Sequence, residues 1–223
     1  MTMIRKCVGA LFMLLSLSVQ AQTVALDSAC RDADYVRTIL GRSQKIVDAL
    51  QLQDAVRQQN VLNVISNRYF KLNDIYENYD EKVAKAKELA DKELAGQQRI
   101  AAANWRDAQL YKHHFEFAAD LANYLTDEQI EAVKDGLTYG VVPKTYQAHL
   151  EMIPTLSETE KLQILNWLKE AREFAIDAPD SKSKHAWFGK YKGRINNWLA
   201  KRGYDLTKER EAWYQRIEEA KKK

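Results

Sequence analysis

The side chains best placed to do chemistry lie in the string HAWFGKYKGRINNW, residues 185–198. On a helix, Gly189, Gly193 and Asn196 fall in one row, flanked by Lys190, Arg194 and Asn197. A row of small residues lets a backbone or a ligand come close, and the amide and basic groups beside it can hydrogen-bond hydroxyls or a carboxylate. A second string, GLTYGVVP (residues 136–143), could pack its glycines on that row, or the two strings could enclose a ligand. Tyr139, Tyr146, Trp187 and Tyr191 add flat aromatic surfaces, and His185 could serve as an acid or base if the fold brings it beside Tyr139. On the opposite side, Trp187, Phe188, Tyr191, Ile195, Trp198 and Leu199 span about 120° of the helix and read as core.

Other chemistry is thinner. Asp135, Glu170, Glu173, Asp177 and Asp180 could furnish a carboxylate pair, and glycoside hydrolysis needs two held about 5–10 Å apart. Acids at this density are ordinary on solvated helices, so no catalytic residue is assigned. His113 and Glu116 share a helix face and His114 lies beside them, but a helical metal site needs a second such motif opposite, so no metal is expected. The chain has no nucleophile elbow, phosphate-binding glycine loop, HExxH or paired CxxC, and no cofactor is expected.

The elements that must position these residues are helices. Apolar residues recur at helical spacing over 31–52, again from Asp54 to Tyr79, and again from Trp105 to about Tyr124. Between the last two stripes, EKVAKAKELADKELAGQQRI (residues 81–100) is rich in alanine and in opposite charges three or four apart. It reads as a projecting helical hairpin around residues 80–100, with Gly96 near its turn. Thr126 with Gln129, and Ser157 with Glu160, have capping-box spacing. The first opens a short helix ending at Gly136, and the second a helix to about Asp177. Pro143 is expected to start the intervening helix at its first position. Gly203 suits the left-handed cap after a helix over about 181–201, and a final helix over 207–221 points Trp213 and Ile217 inward. No segment alternates as a strand would. The expectation is an all-α bundle of about seven helices forming a single domain over 22–223, with a long-helix half (22–123) and a short-helix half (124–223).

The first residues predict export. Arg5 and Lys6 precede an apolar run over 8–19, and Val19-Gln20-Ala21 suits signal-peptidase cleavage, so residues 1–21 read as a signal peptide. That run is too short for a membrane span, which needs about 20 residues. The 34 basic side chains fall to 32 without Arg5 and Lys6, against 31 acidic ones. Such a balance argues against nucleic acid as a partner. Cys30 alone then remains, so no internal disulfide forms.

Three further strings, YLTDEQIEAVKDGLTYGVVPKTYQAHLEMIPTLSETEK, EAREFAIDAP and KHAWFGKYKGRINNWLAKRGYDL, closely resemble a secreted bacterial family, domain of unknown function 3826. The resemblance covers residues 124–206. It implies an exported accessory of polysaccharide utilisation, described as sugar-binding, and brings no catalytic residues with it. Sugar recognition uses aromatic surfaces for the C–H faces of the rings and polar groups for their hydroxyls. Tyr139, Tyr146, Trp187 and Tyr191 could supply the first, and His185, Lys190, Arg194, Asn196 and Asn197 the second. Arg194 could pair bidentately with an acidic sugar. The expected function is non-catalytic binding of an oligosaccharide or polysaccharide in the periplasm or outside the cell. A helical chaperone or adaptor for a protein partner is the alternative, and a polysaccharide-acting enzyme the third.

Overall fold

Among the described residues, seven of the eight helices begin where the sequence supplies a side-chain acceptor for a first-turn N–H. Asp32 caps α1 (Ala33–Ala49), Asp54 caps α2 (Ala55–Lys87) and Asp91 caps α3 (Lys92–Ala122). Thr126 caps α4 (Asp127–Leu137), and Ser157 caps α6 (Glu158–Ala175), both through complete capping boxes. Asp180 caps α7 (Ser181–Lys201), and Asp205 caps α8 (Leu206–Lys221). The exception is α5 (Val141–Met152), which follows Gly140 without a side-chain cap. This computed structural model describes residues 23–222, and over them the protein is all-α, with no strand. Residues 1–21, which the sequence reads as a signal peptide, lie outside the described ones.

Two boundaries differ from expectation. Helix α4 runs past Gly136 to Leu137, and the chain turns through two consecutive left-handed residues, Tyr139 (φ 62°) and Gly140 (φ 64°). Pro143 stands at the third helical position rather than the first. Its missing N–H still falls in the first turn, where no intrahelical partner is available. Gly203 (φ 98°) takes the left-handed position after α7 as expected.

Helices α2 and α3 form the long hairpin, each about 50 Å by its residue count. The turn falls at residues 88–91, and Gly96 is already inside α3. Beyond Ile75 the only buried α2 side chain is Ala86, and the facing part of α3 buries only Ala95 and Ala102. Small side chains let these outer arms pack closely on each other.

The apolar interior has two centres. One gathers Ile46, Val61, Ile65, Leu121 and Val133 from α1–α4. The other gathers Ile153, Ile164, Leu168, Phe188, Ile195 and Leu199 from α5, α6 and α7 and the turns beside them. Ile176, just past α6, belongs to the first. Helix α8 is peripheral, with Trp213 and Ile217 half-buried. The seam between the centres is ionic. Buried Arg172 of α6 reaches Glu131 at 2.6 Å and Asp135 at 2.7 Å, both on α4. Burial opposes the charge of Glu131, yet hydrogen bonds from Arg172 and Lys169 prevail and hold its carboxyl down at about 2.

Candidate functional site

The link between α6 and α7, residues 176–180, is fastened to α2 and α3 through Asp177. The Asp177 carboxylate meets Nη2 of buried Arg68, and its Oδ2 lies 2.9 Å from His114 Nδ1. Its main-chain carbonyl accepts from the Tyr76 hydroxyl at 2.9 Å. One turn earlier, Glu173 pairs with Lys134 at 2.9 Å and lies 3.6 Å from His114 Nε2. Four helices thus hold one polar cluster, and a cleft opens on each side of it.

The first cleft, about 700 Å³, lies between α3 and the α6–α7 link. Tyr111 and Phe115 are 71% and 57% exposed, one turn apart on α3, with their rings edge to face at 5.1 Å. Across the cleft Phe174, 46% exposed, stacks on Trp187 with centroids 4.6 Å apart and planes 17° from parallel. His114, Glu173 and Asp177 line the floor, with Arg106 and Asp107 further along α3. A soluble protein rarely leaves four such rings around one depression without a ligand or partner for them.

The second cleft, about 870 Å³, lies between α1, α2, the turn after α4 and the start of α7. Tyr76, Ala178 and Pro179 line both clefts and form the wall between them. Tyr139 stands at its edge, half exposed and stacked on His185 at 5.3 Å. A non-glycine residue at positive φ is strained by about 1 kcal/mol or more. Here the strain is shared with a bond from Lys144 Nζ to the Tyr139 carbonyl at 3.1 Å.

The residues singled out from the sequence are thereby distributed. Tyr139 and His185 do meet, at the rim of the second cleft, and Trp187 lines the first. Lys190 is exposed, with its ammonium 5.0 Å from the centre of the Trp187 ring. Tyr191 is buried in the second core. Arg194 lies over Trp167 at 4.5 Å and pairs with Glu170 at 3.4 Å, on the outer face of α6 and α7. Tyr146 packs half-buried on the second core, and Asn196 and Asn197 are exposed. The glycine row is not covered by the 136–143 string. A Cβ on Gly189 or Gly193 would meet nothing within 4 Å, whereas one on Gly136 would meet Ile46 Cγ1 at 3.0 Å. The row therefore faces open space, and it is α1 that approaches the 136–143 string.

Several cleft residues escaped the sequence reading. Tyr111 and Phe115 lie off the core stripe of α3, and that offset was the available signal. Lys184 had a clearer one. It continues the buried register Phe188, Tyr191, Ile195 and Leu199 of α7 by one more turn, putting a lysine where an apolar residue is expected.

Over the described residues, eight helices with two clefts around a clamped interhelical link are the class this geometry defines. The model of the family described as protein of unknown function (DUF3826) matches residues 36–219, so the chain belongs to that family. No curated protein matches it.

Proposed function

We propose that this protein is a non-catalytic carbohydrate-binding accessory acting outside the cytoplasm, and that the aromatic cleft receives the sugar. The observation that carries this reading is the set of rings from Tyr111, Phe115, Phe174 and Trp187, around a floor of His114, Glu173 and Asp177. The rings offer flat apolar faces to the C–H surfaces of pyranoses. Both carboxylates already face cations, Glu173 with Lys134 and Asp177 with Arg68. Such carboxylates suit acceptance of hydroxyl hydrogens better than proton delivery to a leaving group, which favours binding over hydrolysis. Export accords with the leader-like first 21 residues.

Calorimetric titration against neutral and acidic oligosaccharides tests it. Tyr111→Ala/Phe115→Ala removes two exposed rings, so the variant should melt like the parent while losing at least about tenfold in affinity. Absence of heat with every glycan at millimolar concentration would overturn the reading.

One observation favours a protein adaptor instead. Leu89 and Leu94 are exposed at the hairpin end, where with Trp105 they border a groove of about 510 Å³. A chain that ignores glycans and captures a protein through this groove, losing capture on Leu94→Asp, would be of that kind.

A further inference from the structure

The second cleft differs in chemistry from the first. Three cations line it, Arg42 and Lys45 from α1 and Lys184 from α7, together with the rings of Tyr35, Tyr69 and Tyr139. Its one lining carboxylate, Asp180, is occupied in capping α7 through the Ser183 N–H at 2.7 Å. None of the three cations has a carboxylate oxygen within 4.0 Å among the described residues. Lys184 is only 5% exposed, and its ammonium has the Leu137 carbonyl at 2.9 Å and the Tyr69 ring at 5.6 Å as neighbours. Burying an ammonium with no carboxylate in contact, and only the more distant fields of Asp177 and Asp180 to favour its charge, is costly, and an evolved core more readily places an apolar side chain there. Arg42 adds to the repulsion, since its field reaches Lys184, Tyr35 and Tyr69 alike.

We propose that this cleft binds an oxyanion, a carboxylate or phosphate borne by a small ligand, with Lys184 at its floor and Arg42 and Lys45 at its mouth. The volume exceeds what a bare ion needs, and the tyrosines give the rest of the ligand a surface to lie on. Arg42 offers the bidentate fork and Lys184 a point charge already desolvated. This inference is independent of the carbohydrate reading, because it is drawn from different residues in a different cleft.

The test is calorimetric titration of the Tyr111→Ala/Phe115→Ala protein, which lacks the exposed rings of the first cleft, at low ionic strength with glucuronate, inorganic phosphate and uncharged glucose. Glucuronate or phosphate should bind, with glucose at least about tenfold weaker. Preference between the two anions tells which group the site takes. Arg42→Gln/Lys45→Gln removes two exposed charges, so it should melt like the parent and weaken the anion at least about tenfold. Lys208→Gln/Lys221→Gln removes the same charge from α8 and should leave affinity intact. The proposal is overturned if neither anion binds at millimolar concentration, if glucose binds as well, or if both double variants act alike.

Discussion

The Lys184 ammonium donates to the main-chain carbonyl of Leu137 over 2.9 Å, tying α7 to the last residue of α4 through a charge held away from water. Burial, and then repulsion from Arg68 and Arg42, pulls this lysine from 10.5 to about 8. A folded-state value below the unfolded one means that, between the two, the unfolded chain carries a proton the folded chain has shed. Stability should therefore gain from this group as pH rises from about 8 to about 10.5, by at most ~1.4 kcal/mol per pH unit. Lys184→Met should lack that gain. Urea denaturation of both proteins across the window checks it, and a stability difference that stays constant with pH would refute the assignment.

The glycines should separate into two kinds. Gly136→Ala places a Cβ 3.0 and 3.1 Å from Ile46 side-chain carbons, so it should destabilise by about 1–3 kcal/mol. Gly189→Ala and Gly193→Ala meet no neighbour and lie within α7, so each should stabilise by roughly 0.5–1 kcal/mol. Thermal melts read both effects. If either α7 variant also abolished binding of a glycan, the open glycine row would replace the aromatic cleft as the ligand surface.

Arg172→Met should be among the most damaging single changes. It removes the cation shared by Glu131 and Asp135 and leaves two acids one turn apart on α4 without it at the seam. A loss of about 3 kcal/mol is expected, and the Glu131 carboxyl should rise from about 2 toward the ordinary range. Denaturation midpoints give the first. Carboxyl NMR titration gives the second, and an unmoved Glu131 would show that Lys169 alone suffices.

Glu160 should make one end of the molecule sensitive to acid. A hydrogen bond from Arg202, then the Ser157 backbone N–H, hold its carboxyl down at about 2, and the Tyr204 hydroxyl donates to it at 2.8 Å. The stabilisation is full above about pH 4.5 and disappears as pH falls through about 2. Glu160→Gln should thus be less stable than the parent at neutral pH and converge with it near pH 2. A gap that persists in strong acid would mean the loss is one of packing.

The helices were legible because their determinants are local. Apolar spacing, capping side chains and the left-handed Gly203 each act within a few residues, and both capping boxes form as spaced. The clefts were not, because His114 and Asp177 meet across 63 residues of sequence and no periodicity reports which helix faces which. Of the residues in the aromatic and basic strings, the fold brings Tyr139 and His185 to the rim of one cleft and Trp187 to the lining of the other. Spacing alone does not report where a side chain spends its contacts, as Arg194 does on Trp167 and Glu170 of the neighbouring helix.

Tyr76, Ala178 and Pro179 present one side to each cleft. A ligand that shifts this shared partition when seated on one side must change the fit on the other. Linkage makes such a change reciprocal: whatever factor the first guest imposes on the second, the second imposes on the first. Two recessed sites with a common wall can therefore act as a coincidence reader, favouring a molecule that presents a ring face and a negative group at once over either feature alone.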